Sequence, residues 1–334
     1  MNKLPVSIIS PVRNGAEVMT AHAKYLREMA AVADEIIIVD SDSTDGTLEI
    51  LKRELDGLDV LFLNHPPGLY QSWNHALSQA RAPYLTVATV GDPLPAESLE
   101  RLVTTMERFS ADAVISAPEI LDDEGRPLAK EWPIHQLIKS AGIVEAQPID
   151  TAVWMTMALV NYPITLISSS AGNLYRTQMM KDHPFSADFG HTGDSAWALA
   201  MSAKAKWVVD PQAKSYFWLH AAAPARRIPN EIVARRTHDM LADFIKANRD
   251  FLTAQGVTED LLGLLEKVPG CLLEKTLLSA RYQQIRKSWI PWFLQAGAFR
   301  LRGQRAELAV ETKKLRRQAH ALAIQFLQSR PRST

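Results

Sequence analysis

Residues 34–47, with the sequence DEIIIVDSDSTDGT, decide the fold class of this chain. The four β-branched residues at 36–39 predict a short strand that is buried on both faces, as in a parallel sheet. Asp40 ends this strand, and the Ser, Thr, Asp and Gly residues after it are typical of a turn that starts a helix. Helix capping explains the turn residues but not Asp40, which lies where open α/β sheets bind their ligands.

Strands and helices are predicted to alternate on both sides of this stretch. Apolar runs predict strands at 5–10, 36–39, 60–63, 84–88 and 113–117, with a helix after each of the first four. The alternation predicts an α/β fold with a doubly wound, mostly parallel sheet and helices on both faces. Beyond it, residues 122–127 predict a hairpin turn that opens an antiparallel excursion, residues 132–167 look irregular, and the chain from 228 onward is predicted to be largely helical.

The composition is that of an ordinary soluble globular protein, with 47% hydrophobic and 22% charged residues among 334. This length allows one large α/β domain with a smaller helical extension. A single cysteine, Cys271, excludes an internal disulfide and favours a reducing, cytoplasmic setting. The N-terminus lacks the apolar run of a secretory signal. The uncharged stretch 151–175 is too polar and broken for a transmembrane helix, so we expect it to be buried or to line a pocket.

The formal net charge of zero hides a basic C-terminal tail. Residues 281–334 hold 12 Lys and Arg against 2 acidic residues, whereas the rest of the chain holds 25 and 35. An apolar stripe repeats along the tail at Leu301, Leu308, Leu315, Ala319, Leu322 and Phe326. Two interpretations stay open: peripheral binding to an anionic membrane surface on the inner face of the membrane, or packing of a helix on its own domain or a dimer partner. No nucleic-acid partner is expected, and the sequence does not predict the oligomeric state.

Three motifs occur in order along residues 5–220. They are VSIISPVRN at 6–14, IIIVDSDSTDGT at 36–47 and GLYQSWNHAL at 68–77. Together they resemble the family 2 inverting glycosyltransferases with the GT-A fold, and the third is similar to GIYDAMNKAL of a polysaccharide-building branch. Asp42 stands where the family usually has glycine. The resemblance implies a catalytic domain over 1–220, with residues 221–334 as a helical extension.

The activity implied by the resemblance is transfer of a sugar from a nucleotide-sugar donor to an acceptor hydroxyl with inversion, in cell-surface polysaccharide or glycolipid assembly. The expected partners are a nucleotide sugar and a sugar or lipid-linked acceptor. Asp40 is expected to accept hydrogen bonds from the base or ribose. The residues expected to bind the donor are Pro11, Asn14, Asp40, Asn74, Asp92, Gly172 and Asn173.

A divalent metal, Mn²⁺ or Mg²⁺, is the cofactor that the resemblance implies. The family usually carries D-x-D after the fourth strand, where this chain has Thr89-Val90-Gly91 followed by Asp92. The same branch often carries NSGD there. His220 matches a C-terminal histidine that contacts the metal in many GT-A enzymes, so Asp92 and His220 are the expected ligands. A structural role for His220 is the alternative.

Asp194 is the expected catalytic base. The family supplies this carboxylate from a Glu-Asp pair, and here Gly193 replaces the Glu. Capping or first-turn placement on a helix is the alternative role for Asp194. Because a helix dipole would lower its pKa, the base role is expected to depend on geometry and desolvation.

Two other functions are open at this point. The DSDST run at 40–44 fits the nucleophile motif of haloacid dehalogenase phosphatases, with Asp40 attacking and Asp42 as acid and base. That chemistry also needs an acidic residue four positions after a later Gly-Asp, where this chain has Ala96 and Ala198. The second possibility is a non-catalytic GT-A-like binding protein that has lost its metal chemistry.

Overall fold

Strands and helices alternate regularly in the first third of the chain. The computed structural model describes residues 3–122, 124–219, 231–287 and 296–330. Its strands are β1 (Leu4–Val12), β2 (Ala33–Asp40), β3 (Val60–Asn64), β4 (Tyr84–Val87), β5 (Ala113–Ile115), β6 (Glu119–Leu121), β7 (Gln147–Pro148), β8 (Asn173–Arg176), β9 (Trp207–Val209) and β10 (Tyr216–Trp218). Its α-helices are α1 (Ala16–Ala30), α2 (Thr47–Glu54), α3 (Leu69–Gln79), α4 (Ala96–Phe109), α5 (Pro133–Ala141), α6 (Thr151–Asn161), α7 (Thr177–Asp182), α8 (Gly193–Ala200), α9 (Glu231–Ala254), α10 (Glu259–Lys287) and α11 (Ala296–Gln328).

Eight strands form the central sheet in the order β3-β2-β1-β4-β8-β5-β9-β7. The pairs among β1 to β4, and the pair of β5 with β9, are parallel, whereas β8 runs antiparallel to β4 and β5, and β7 to β9. The predicted mostly parallel, doubly wound sheet is therefore confirmed, with two antiparallel insertions. The strand order reverses between β1 and β4, which is where open sheets of this kind leave a ligand crevice.

Helices cover both faces of the sheet, as predicted. Along β2, Ile36 and Ile38 pack into one core with α1, α2 and α4. Ile37 and Val39 point to the other face, into a second core with α3, α6 and α8. This two-sided burial explains why the strand has an unbroken apolar sequence.

The prediction that residues 132–167 are irregular is wrong, because α5 and α6 lie there. Every residue of α6 from 152 to 160 is buried, so the helix has no polar face and its sequence shows no amphipathic period. The expectation that residues 151–175 are buried or line a pocket is confirmed. The turn at 122–127 is closed by a bond from the Asp122 N–H to the Arg126 carbonyl (3.0 Å), but β6 itself pairs in parallel with β10.

Helices α9, α10 and α11 form the predicted helical extension. Leu241, Leu262 and Phe326 from these helices join the same core as α6. The stripe residues Leu308, Ala319 and Phe326 are buried, so of the two interpretations of the stripe, packing on its own domain is the one observed. Within the described ranges, no helix combines the length and apolarity needed to cross a membrane.

Candidate active site

Asp40 ends β2 at the carboxyl edge of the sheet and is 2% exposed. Its Oδ2 accepts a hydrogen bond from the Ser43 N–H at 3.0 Å. Its Oδ1 is buried without a hydrogen-bond partner among the described residues. A buried carboxylate oxygen without a donor is costly, so this atom is available to a hydroxyl or N–H group of a ligand.

The loops after β1 and β2 are joined by the side chains of the DSTDGT motif. Asn14 has φ 45°, and its amide oxygen accepts the Thr44 N–H at 2.9 Å. The Thr47 hydroxyl accepts the Gly15 N–H at 2.8 Å, and Asp45 accepts the N–H of Ala16 at 3.0 Å. These bonds join the loops that follow β1 and β2. Most side chains of the motif therefore have a structural role next to Asp40.

Asp42 adopts φ 51°, a left-handed conformation in which glycine is the usual residue. Aspartate is one of the few other residues that tolerate it. Its Oδ1 accepts a hydrogen bond from the Asn64 amide of β3 at 3.1 Å. Pro11 is half-buried within β1 and is paired with Val39 of β2, one position before Asp40.

A cavity of about 400 Å³ lies beside the carboxyl end of β4, where Thr89 and Asp92 line it. Asp92 and Asp194 both line it, with the hydroxyls of residues 168–170 and the rings of Tyr70 and Trp132. It therefore combines two carboxylates with aromatic walls, which suits a polar ligand with stackable faces.

Asp92 lies in the turn after β4 and is 5% exposed. Its Oδ2 accepts the Ser169 hydroxyl at 2.9 Å, and its Oδ1 accepts the Trp218 N–H at 3.3 Å. Burial raises the pKa of this carboxyl from 3.8 to about 7. Its charged form is therefore favoured by a nearby cation or by a pH above about 7.

Asp194 occupies the first turn of α8. Burial raises its pKa, and hydrogen bonds from Ser195 and Tyr70 oppose that rise. The Ser195 N–H donates to its Oδ1 at 2.7 Å, and the Tyr70 hydroxyl accepts the Asp194 backbone N–H at 3.0 Å. The rise in the pKa of Asp194 caused by desolvation is therefore larger than the lowering expected from the start of the helix. Asp194 is thus a stronger base than an exposed aspartate.

The structure gives Asn74, Gly172 and Asn173 places outside this cavity. Asn74 makes paired bonds with the backbone of Phe185, at 2.7 and 3.1 Å. Asn173 is fully buried and donates to the carbonyl of Ile167 at 2.6 Å. Their side-chain atoms bond within the protein and hold these segments in place, and direct contact of either residue with a donor stays a prediction.

Gly172 is required by close packing. A Cβ at this position would lie 2.5 Å from the hydroxyl oxygens of both Ser116 and Ser215. These two hydroxyls bond each other at 2.6 Å, so neither can move away without losing that bond. The glycine therefore allows the segment before β8 to pass close to β5.

The described residues do not by themselves form a metal site. Within the described ranges there is no group of three or more His, Cys, Asp and Glu side chains able to hold an ion. Asp92 is the one predicted ligand that the structure describes, and both its oxygens already accept hydrogen bonds. His220 lies outside the described residues.

Sequence reasoning missed Tyr70 and Ser169 as site residues. Tyr70 belongs to the third motif, where it was quoted without a role, and its ring packs against Gly193 in the place of a side chain there. The sequence gives Ser169 no signal beyond its place in the polar, uncharged stretch 151–175. In both cases the residue was visible in the sequence, but its partner lies far away along the chain.

Comparison with known proteins gives matches to the first half of the chain. Residues 7–163 match the family model described as Glycosyl transferase family 2. TuaG of Bacillus subtilis, whose name assigns it to glycosyl transfer in teichuronic acid biosynthesis, is 27% identical over 128 residues, which are 37% of this chain and 51% of TuaG. Glycosyltransferase GlyG of Streptococcus pneumoniae is 26% identical over 113 residues, 33% of this chain and 38% of GlyG. The match thus spans about half the length of these relatives or less.

Solved structures give the fold. The crystal structure of S. aureus TarS 1-349 has a TM-score of 0.54 and 16% identity, and the match covers 97% of this chain and 89% of TarS. Its complex with UDP-GlcNAc has a TM-score of 0.55 and 15% identity, with 97% and 90% covered. These likenesses confirm the GT-A-type fold that the motifs predicted. The identified similarity is therefore a match of residues 7–163 to the glycosyl transferase family 2 model, on a chain with the fold of TarS.

Proposed function

We propose that this chain is an inverting glycosyltransferase that moves a sugar from a nucleotide-sugar donor to an acceptor hydroxyl. The observation that carries the proposal is the pair of carboxylates, the buried Asp92 and the half-buried Asp194, which line one cavity at the carboxyl edge of the sheet. The raised pKa of Asp194 supports its role as the base.

The donor nucleotide is proposed to bind at the ends of β1 and β2. Asp40 Oδ1, buried and without a partner among the described residues, accepts from the base or ribose. Pro11 and the loop at Asn14 border the same place. The donor sugar then extends towards the cavity between Asp92 and Asp194.

The reaction is a single displacement. Asp194 takes the proton of the acceptor hydroxyl as its oxygen attacks the anomeric carbon. The bond from that carbon to the phosphate oxygen breaks, and the nucleoside diphosphate leaves with the electron pair. Attack from the face opposite the leaving group inverts the configuration, by the same logic as for inverting hydrolases.

A divalent cation at Asp92 stays a prediction. Mg²⁺ and Mn²⁺ commonly use one or two protein carboxylates and take their remaining ligands from phosphates and water. One carboxylate is therefore enough for a site completed by the donor's diphosphate. When bound, the ion would neutralise charge on the leaving group.

Assembly of a cell-surface polysaccharide or glycolipid is the proposed setting, and the name of TuaG supports it. Peripheral attachment to an anionic membrane surface also stays a prediction. The basic residues of 281–334 support it, whereas the buried stripe residues Leu308, Ala319 and Phe326 would not contribute.

The test begins with nucleotide binding, measured by thermal shift against UDP, GDP, dTDP and CMP. Asp40→Ala should weaken the best binder by more than the ~1 kcal/mol of an ordinary hydrogen bond, because a charged acceptor is removed. Asp194→Asn should lower turnover by about 10²–10⁴ while donor binding stays intact. A product that retains the donor's anomeric configuration would contradict the mechanism.

The two alternatives predict different results in the same assays. A haloacid dehalogenase-type phosphatase would hydrolyse a generic phosphate ester and lose that activity in Asp40→Asn. A non-catalytic binding protein would bind nucleotide without turning over any sugar donor. The bond from the Asn64 amide already occupies Oδ1 of Asp42, the carboxylate that the phosphatase would use as acid and base, which disfavours the phosphatase.

A further inference from the structure

A second cavity, of about 660 Å³, lies among α9, α10 and α11. Pro163, His191 and Thr192 line both this cavity and the catalytic one, so the two are separated by a single layer of residues. No step of the proposed reaction uses it. We call it the helical cavity.

The walls of the helical cavity are largely apolar. Leu241 of α9, Leu272 and Leu273 of α10, and Ala306 and Ala309 of α11 contribute to them. On α10 and α11 the lining residues recur at three- and four-residue spacing, so each helix presents one continuous face to the cavity. The small alanines of α11 leave the space open.

Three cationic side chains, Lys275, Arg302 and Arg305, also line the helical cavity, and none of its described lining residues is acidic. None of the three makes an ion pair with a described residue. The Arg305 guanidinium lies over the ring of Tyr282, 5.1 Å from its centroid. These positive charges are therefore available to an anion.

The cationic end of the cavity faces the catalytic side. Arg249 of α9 pairs with Glu266 of α10, so the two helices run antiparallel and the start of α9 lies beside the later turns of α10. Arg302 and Arg305 lie at that same end, since Arg305 stacks on Tyr282. The start of α9 also contacts the segment before α8, through an ion pair between Arg236 and Asp188 at 2.5 Å. Leu241 and Leu272 lie at the opposite end, where Lys275, one turn after Leu272, is the cationic residue among the described lining residues.

We propose that the helical cavity binds the acceptor, and that this acceptor is a lipid carrying a phosphate. The phosphate lies at Arg302 and Arg305, and the start of the lipid chain lies along the apolar faces of α9, α10 and α11. The hydroxyl to be glycosylated belongs to a sugar joined to this phosphate, and it reaches Asp194 at Thr192, in the layer that both cavities share. This assignment rests on the proposed glycosyl transfer, but binding of the lipid phosphate does not.

The probe is dodecyl phosphate below its micelle concentration, with binding measured by calorimetry on the full chain. One molecule should bind per chain, without displacing a bound nucleotide. The double variant Arg302→Gln/Arg305→Gln should weaken binding by about tenfold or more, because charge-assisted contacts are lost. Ala309→Trp should abolish it by filling the cavity.

Matched controls lie on the outer face of α11. Lys313→Gln/Lys314→Gln removes the same number of charges from exposed positions, and Ala321→Trp adds the same ring at an exposed one. Both control variants should bind dodecyl phosphate as the parent does. If the controls weaken binding as much as the cavity variants, the inference is overturned, since the effect is then one of general charge or bulk.

Other occupants are distinguished by other probes. If inorganic phosphate binds as tightly as dodecyl phosphate, the site binds anions and does not recognise a lipid. If dodecyl maltoside binds as tightly, the site is apolar and does not recognise phosphate. Either result overturns the proposal. If dodecyl phosphate binds as expected but no sugar donor is turned over, the proposed glycosyl transfer fails, and the acceptor role with it. If donors are turned over and dodecyl phosphate does not bind, only the present inference fails.

Discussion

Asp92→Asn should change how the stability of the protein depends on pH. The carboxyl is 5% exposed, and burial raises its pKa from 3.8 to about 7. The folded state therefore binds the proton more tightly than the unfolded state. It follows that the free energy of unfolding of the parent falls as pH rises from about 4 to about 7, because charging a buried group opposes folding.

The size of the effect follows from the shift. Each pKa unit corresponds to about 1.4 kcal/mol, so a shift from 3.8 to about 7 amounts to about 4 kcal/mol at most. Asparagine has the same shape, and its amide oxygen can still accept the Trp218 N–H while its NH₂ donates to Ser169. Asp92→Asn should thus equal the parent near pH 4 and exceed it progressively up to pH 8.

The assay is urea unfolding of parent and variant at several pH values between 4 and 8, with Asp59→Asn as an exposed control. A difference that does not change with pH, or a variant less stable than the parent at pH 8, would refute the reasoning. Repeating the series with Mn²⁺ tests the ion. If Asp92 binds it together with the diphosphate of a nucleotide, Mn²⁺ added with that nucleotide should stabilise the parent increasingly as pH rises through about 7, and should stabilise Asp92→Asn less.

Three further substitutions test contacts around the site. Tyr70→Phe removes a hydrogen bond that lowers the pKa of Asp194, so the acid limb of the pH–rate profile should move to higher pH; an unmoved limb would contradict the contact. Gly172→Ala should destabilise the fold by about 1–3 kcal/mol in urea unfolding, because its methyl would overlap two hydroxyl oxygens. Gly263→Ala, on a helix with open space around it, is the matched control and should stabilise by up to about 1 kcal/mol. Gly193→Ala would place a methyl 2.4 Å from the Tyr70 ring, so it should lower turnover as well as stability, whereas parent-like kinetics would show that the Tyr70 ring can shift freely.

The sequence predicted those parts of the fold that local pattern determines. The apolar run at 36–39 is a central strand, and the turn after Asp40 begins α2 at Thr47. The difference from the family motif at Asp42, where glycine is usual, also has a local reason. Aspartate is one of the few other residues that can adopt the positive φ found there. By contrast, α6 could not be recognised, because burial on every side removes the period that marks a helix.

The site was predicted less completely because its contacts are distant in sequence. Asn74 appeared to be a donor ligand within its motif, yet it bonds the backbone of Phe185, 111 residues away. Tyr70 bonds Asp194 across 124 residues. The direction of the pKa shift of Asp194 likewise depends on burial, which a helix-start pattern does not reveal. Residue type and spacing could identify the carboxylates, but only the folded chain shows which groups surround them.

The antiparallel direction of β8 determines which part of the site can vary most easily. Because this strand runs against its neighbours, the chain reaches the carboxyl edge of the sheet before β8 begins, through residues 163–172. That loop supplies serines to the catalytic cavity and Pro163 to the layer of residues that separates it from the helical cavity. Asn173 holds the end of the loop through its bond to the Ile167 carbonyl. Loops outside a sheet tolerate substitution better than the strands they join. Exchange of this one loop between related proteins would therefore alter which sugars and acceptors fit, while the strand ends that carry Asp40 and Asp92 keep their positions.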